Sequence, residues 1–257
     1  MIYIYDGSYE GLLTAIFTTF ESREFDVQLQ LESDFQESLF EKPKYIQSDL
    51  AKARRVSDGL VKLFTKDGAA DFWRAFLAED SNIHQIIFEL IISAFKTNSS
   101  TFLHNYGDER ILQFHQTLRK VSRERHRMKA FIRFQKESSG MYVAIIEPDF
   151  NVLPLIISFF RKRYADQQWL IYDNKRRYGI HYDLHSVTEV TLSLDRSTAL
   201  QKSVANITLD PDDNRYTRLW QGYFQSTNIE ARKNLKLHLR HVPKRYWKYL
   251  PEKMNNN

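Results

Sequence analysis

The strongest constraint in this sequence is a change of hydrophobic period. Over residues 46–125 apolar side chains return every three or four positions, as in Ile111, Phe114, Leu118 and Val121, which is helical spacing. From Met128 onward they alternate: Met128, Ala130, Ile132 and Phe134 share one side, Lys129 and Arg133 the other, which is strand spacing. A chain that runs one period and then the other is expected to be α+β. The expected architecture is a helical subdomain combined with a mainly antiparallel sheet and C-terminal helices. The join is residues 123–134, RERHRMKAFIRF, read as the place where a helix hands over to a strand at 128–135.

The rest of the chain fits one domain in four parts. Residues 1–45 read as a strand–helix start, in which Leu12, Leu13, Ile16, Phe17 and Phe20 form an apolar stripe and Ser8 or Asp6 caps the helix. A short strand is expected at 27–31, then irregular acidic chain to Tyr45. Residues 46–125 are the helical subdomain: a helix capped by Ser48 and ended by Asp67–Gly68, a second holding Phe72, Phe76 and Leu77, a third from near Asn82, and the helix after Gly107. Residues 126–194 form the β-rich part. There 136–140 is a hairpin loop joining 128–135 to 141–147, and 151–164 is a helix. A second hairpin pairs 169–172 with 178–182, followed by a strand at 187–194. Residues 195–257 are expected to be helical around Leu219, Trp220, Tyr223 and Phe224, with a basic tail.

Composition narrows the chemistry. The 257 residues include no cysteine, which excludes disulfides, thiolate metal sites and a cysteine nucleophile within the chain. The start MIYIYDGSYEG has no basic segment followed by a long apolar run, so no signal peptide is expected. The longest apolar stretches are too short to cross a bilayer, and a cytoplasmic protein away from membranes is expected. The net charge of +5 is unevenly distributed. Residues 1–50 carry three cations against ten carboxylates, whereas 119–136 and 232–253 each carry eight cations against one carboxylate. Such segregation is what a polyanion-binding face requires; folding of the acidic front onto the basic runs would cancel it.

Phosphates call for Arg and Lys, and unpaired bases call for aromatic faces. The candidate nucleic-acid-binding residues are therefore Arg123, Arg125, His126, Arg127, Arg133, Arg161, Arg163, Arg176, Arg177, Lys244, Arg245, Tyr246 and Trp247. The competing reading of the tail buries its aromatics in the core and leaves Lys244, Arg245 and Lys248 solvated. Glu147 and Asp149 flank Pro148 at a strand end, where paired carboxylates can hold a divalent metal for phosphodiester chemistry, with Asp6 or Asp173 as a third ligand. As an ordinary alternative, Asp149 caps the next helix. His126, among cations that would depress its pKa, is a candidate base or a structural residue beside a Glu124–Arg pair. His181, Asp183 and His185 would share one face of a strand and form a metal pattern there. Asp6-Gly7-Ser8 is either an anion-binding turn or a capped one. No Walker loop, dinucleotide fingerprint or zinc deaminase pattern is present, and no cofactor is expected.

Four stretches together carry a resemblance: YIYDGSYEGLLTAIF from Tyr3, RERHRMKAFIRF from Arg123, EPDFNVLPLI from Glu147 with WLIYDNKRRYGIHYD from Trp169, and PKRYWKYLPE from Pro243. The chain resembles a bacterial family assigned to DNA metabolism or repair, formally domain of unknown function 4130. Members of that family stand beside a radical-SAM protein or are fused to a uracil-DNA-glycosylase-like domain. The resemblance brings no catalytic residue set. It implies a protein that holds single-stranded or damaged DNA for a radical-SAM partner. A metal-dependent nuclease or base-processing enzyme using Glu147 and Asp149, and a protein scaffold that does not bind DNA, stand beside it as alternatives.

Overall fold

A computed structural model describes residues 1–35, 43–138, 140–191 and 242–251. The fold is α+β, and the chain divides into two units, Met1–Arg123 and Glu124–Asn257.

In the first unit, β1 (Ile2–Tyr5) lies between β2 (Gln28–Leu31) and β3 (Lys44–Ile46), and both pairings are parallel. A parallel sheet was not legible in the sequence, and β3 falls where irregular chain is predicted. The acidic stretch hides it because only three residues pair. α1 (Tyr9–Ser22) follows β1 after a turn built from Asp6, Gly7 and Ser8. Ser8 is the N-cap, its Oγ accepting from the Gly11 amide at 2.9 Å. Asp6 accepts from the Ser8 amide and hydroxyl and from the Ser48 hydroxyl. Burial works to raise the Asp6 pKa, and these hydrogen bonds outweigh it and hold the carboxyl below its usual value. The turn is thus filled by its own carboxylate, and the anion-binding reading of Asp6-Gly7-Ser8 is withdrawn.

Because Ser48 is engaged by Asp6, Asp49 rather than Ser48 caps α2 (Leu50–Phe76), accepting from the Ala51 and Lys52 amides. The predicted break between two helices is present but falls at Thr65 rather than at Asp67–Gly68: its φ of 66° and ψ of 169° are not helical, so α2 is two helical stretches joined across a kink. α3 (Ser81–Thr97) is capped by Asp80 and buries Ile83, Ile86, Ile87, Leu90, Ile91 and Ala94. These side chains meet Tyr3, Tyr5, Leu12, Leu13 and Ile16 in one core. His84 is buried in it, with Nδ1 2.7 Å from Tyr5 Oη, Nε2 3.2 Å from the Phe76 carbonyl, and its ring stacked on Phe76.

α4 (Glu109–Phe131) crosses the division between the units. The helix therefore continues through most of the stretch where a strand is predicted, and only β4 (Gln135–Lys136) is extended. The misreading has a simple origin. Met128 and Ile132 are both buried and four residues apart, so they satisfy the helical period as well as the alternating one.

In the second unit, β4, β5 (Tyr142–Ile146), β6 (Trp169–Asp173), β7 (Tyr178–Tyr182) and β8 (Val187–Thr191) form a sheet in that order. The predicted hairpin of 169–172 with 178–182 is present, with Trp169 opposite Tyr182, whereas of the predicted pairing of 128–135 with 141–147 only Gln135 and Lys136 pair, opposite Val143 and Tyr142. β5 and β6 are parallel and are linked through α5 (Leu153–Arg163), whose Phe160 packs on Trp169 with Phe134 and Tyr164. A 3-10 helix, Lys244–Tyr249, ends the described chain. The helices predicted around Leu219 to Phe224, and the last part of the 187–194 strand, lie outside the described residues.

Candidate functional site

The site is assembled around a buried charge. Glu124 stands alone among the eight cations of residues 119–136, and its exposure is 1%. A carboxylate that deep needs several donors, and it has them. Tyr246 Oη donates to Oε1 at 2.5 Å, and the Asp149 amide donates to the same oxygen at 3.0 Å. Arg245 Nη2 and Arg127 Nη1 approach Oε2 at 3.4 and 3.7 Å. Tyr246 is itself 2% exposed, and its hydroxyl pKa is raised by burial and by the bond to Glu124. The tail is thereby anchored on α4.

Parallel pairing supplies the next layer. Because β5 and β6 run the same way and end together at Ile146 and Asp173, the chain after each leaves the sheet at the same edge. Asp173 is fully buried and accepts from the Lys175 and Arg176 amides and from the Arg176 guanidinium at 2.8 Å. Arg176 then donates to the carbonyls of Pro148 and Asp149, locking the two loops together. Against them stands the 244–249 turn. Arg245 Nη2 is 2.5 Å from Asp149 Oδ2, and Lys248 Nζ donates to Glu147, which also accepts from Asn174 Nδ2 at 2.6 Å.

These groups line an open cavity of about 690 Å³, bounded by Glu147, Pro148, Asp149, Lys175, Lys244, Arg245 and Lys248. Four cations thus face two carboxylates. Among the described residues, the Lys175 ammonium donates to the Asp149 carbonyl at 3.1 Å and to no carboxylate, and Lys244 has no ion pair. Both are exposed.

The electrostatics limit what the carboxylates can do. Lys248, and then Asn174, hold the Glu147 carboxyl far down, at about 2, so it is no proton donor or acceptor near neutral pH. The same pair raises the Lys248 ammonium, the opposite of what an amine nucleophile needs. Asp149 is paired with Arg245. Asp6 is held in the first unit's turn, and Asp173 is committed to Arg176. Among the described residues no group of three or more His, Asp or Glu side chains is placed to hold a metal. Phosphodiester chemistry at Glu147 and Asp149 would first have to release both from their cations. The His181, Asp183, His185 pattern is not formed either. β7 ends at Tyr182, and Asp183 turns to accept from the amides of His185 and Ser186 and from the Ser186 hydroxyl. Those bonds, the Ser186 amide first, hold its carboxyl down at about 2.

The predicted binding residues separate into two groups. Arg127, Arg176, Arg245 and Tyr246 converge on the buried carboxylates and the 148–149 loop, and their main role is to build the site. Tyr246 cannot stack on a base, because its ring is buried beside Phe131. Arg176, at 9% side-chain exposure, is likewise structural. Trp247 is half-buried and donates from Nε1 to the Val242 carbonyl. Arg133 donates to the Ala130 and Ile132 carbonyls and closes the C-terminus of α4. Lys244 lines the cavity. Arg161 and Arg163 are exposed at the end of α5, Arg177 is exposed in the β6–β7 turn, and Arg125 is half-exposed. His126 is exposed and does not line the cavity, and Arg123 belongs to the first unit. The reading missed Lys175 and Asn174. The signal was the strand–helix–strand order of 141–147, 151–164 and 169–172, since a crossover through a helix runs its two strands parallel and brings the turns after both to one end of the sheet.

A family model, described as a domain of unknown function (DUF4130), matches residues 81–252, more than half of the chain. The chain belongs to this family. The matched span opens at the start of α3 and includes the whole second-unit cavity, whereas the stretch from Tyr3 that contributes to the resemblance lies outside it. Neither the curated proteins nor the solved structures yield a match. None of the described helices is long and apolar enough to cross a membrane.

Proposed function

We propose that this DUF4130 protein binds nucleic acid through the second unit, holding single-stranded or damaged DNA for a partner enzyme. The observation that carries the reading is the excess of cations in the cavity: among the described residues Lys175 and Lys244 have no carboxylate to neutralise them, and a phosphate is the commonest polyanionic group that would. Exposed Arg161, Lys162, Arg163 and Arg177 extend the positive charge of the same unit. The partner implied by the resemblance is a radical-SAM protein, which would carry the iron–sulfur cluster for which this chain has no cysteine. Base stacking is a smaller part of this reading than the sequence suggests, since Tyr246 is withdrawn into the core.

The test is fluorescence anisotropy with labelled single- and double-stranded DNA over a salt series. Binding is expected to weaken linearly in log–log form as counterions are released. Lys175→Ala and Lys244→Ala should each flatten the slope by about one unit, without loss of folding, because neither side chain anchors the turn. No binding at low salt would overturn the reading and leave the cationic surface as a docking face for an acidic protein.

A further inference from the structure

Two features of the cavity are hard to reconcile with a site that is simply positive. Its most versatile anion ligand, Arg245, and one of its three lysines, Lys248, are already bound to carboxylates, and those carboxylates come from the loop that forms the opposite wall. Neither pair is buried: Arg245 and Asp149 are 43% and 46% exposed, and Lys248 is more than half exposed. Exposed ion pairs are weak, about 0–1 kcal/mol, so a competing anion can open them at small cost. The parts that must stay in place do not depend on them. Tyr246 and the Asp149 amide remain on Glu124, and Arg176 continues to hold the Pro148 and Asp149 carbonyls.

We infer that Glu147 and Asp149 are internal stand-ins for a ligand phosphate, and that the cavity seats a phosphate of an unpaired strand or strand end on Lys175, Lys244, Arg245 and Lys248. This rests on the nucleic-acid reading above and names its ligand group. The concave shape favours a strand without its complement, because a 690 Å³ cavity is of small-ligand size and a duplex presents its phosphates on a broad convex surface. The shared chemistry is the phosphate group, whether internal in a chain, terminal, or free.

The test inverts the usual sign of a binding-site mutation. Asp149→Asn and Glu147→Gln keep the shape and most hydrogen bonds while removing the competing charge. Each should tighten single-stranded oligothymidine binding by roughly two- to five-fold, the equilibrium value of one exposed ion pair. Each should also steepen the salt slope by about one unit, as a released cation becomes available to phosphate. Oligonucleotides with a 5′-phosphate or a 5′-hydroxyl, and inorganic phosphate as competitor, separate the three sources. A gain confined to the 5′-phosphate identifies a strand end. An equal gain for both identifies an internal phosphodiester. Displacement of both by millimolar phosphate identifies a site for the free ion. If wild-type protein binds DNA and the two variants bind equally or more weakly, the stand-in inference fails while the nucleic-acid reading survives. If wild-type protein binds no DNA, that reading fails, and tighter phosphate binding by Asp149→Asn, read by titration calorimetry, still decides the cavity.

Discussion

The two units use polar groups in opposite ways. In the first, polar side chains pair with one another inside the unit: Asp6 with Ser8 and Ser48, Tyr5 with His84, Tyr3 with Glu24, which also takes Lys44. The second has more positive charge than its own carboxylates can absorb. Its one fully buried acid at the tail, Glu124, binds the turn in place, while Glu147 and Asp149 are left at the rim with exposed partners. The contrast separates polar groups that hold a fold from polar groups that a fold holds ready, which charge counts along a sequence cannot do.

The sharpest way to break this comparison is to remove the buried acid. Glu124→Ala leaves Tyr246 Oη, the Asp149 amide and two guanidinium groups without their common acceptor. It should cost about 3 kcal/mol, the low end for breaking a buried pair because Arg245 is partly solvated, as read from urea unfolding. Glu147→Gln, at the rim, should change stability by less than about 1 kcal/mol. A Glu124→Ala protein as stable as wild type would show that the tail is not anchored there.

In the first unit, Gly11→Ala tests the closed turn. A Cβ at Gly11 would lie 2.3 Å from Asp6 Oδ1 and 2.9 Å from Ser48 Oγ, so Asp6 must give up its place over the Ser8 cap. A loss of about 1–3 kcal/mol is expected, with α1 amides exchanging hydrogen first. Unchanged exchange in α1 would mean that the turn tolerates the group.

The smallest effects come with pH and also differ between the units. Burial lowers the His84 pKa from its ordinary 6.5. Below about pH 6.5 the unfolded chain therefore takes up a proton that the folded chain resists, and stability falls as pH falls. Glu147 is depressed from 4.5 to about 2 by Lys248, so its contribution is complete above about pH 4.5 and is lost as pH falls toward 2. Hydrogen exchange in α3 should accelerate before that in the turn at Lys244–Tyr249 as the solution is acidified. The reverse order would remove His84 from its buried role.

Much of this was legible in the sequence. Period and turn chemistry located α1 with its cap at Ser8 or Asp6, the hairpin of 169–172 with 178–182, and α5, because each rests on local rules. The strand expected at 128–135 was lost to a helix since Met128 and Ile132 fit two periods at once, and only packing chooses between them. For the site, the structure brings together Glu124 of the basic run and Asp149 of the EPD loop, both of which stand in stretches that the sequence singles out. Their relation was not legible, because Glu124, Asp149 and Tyr246 come together only through the tertiary fold. The aromatic tail illustrates the limit: Tyr246 and Trp247 are adjacent, yet one is buried and the other half-exposed, and nothing in a dipeptide announces that.

The distance along the chain between the parts of the cavity has a consequence during synthesis. Tyr246 lies 122 residues after Glu124, and Lys248 lies 101 after Glu147. At about 5–20 residues per second, the ribosome makes the sheet and its acidic loop on the order of ten seconds before the turn that completes them. Until then Glu147 and Asp149 lack the partners that Lys248 and Arg245 supply. A nascent or C-terminally clipped chain would keep Glu147, Asp149 and Lys175 without Lys244, Arg245 and Lys248, so the cavity's excess of positive charge arrives with the last of its residues rather than with the sheet that supports it.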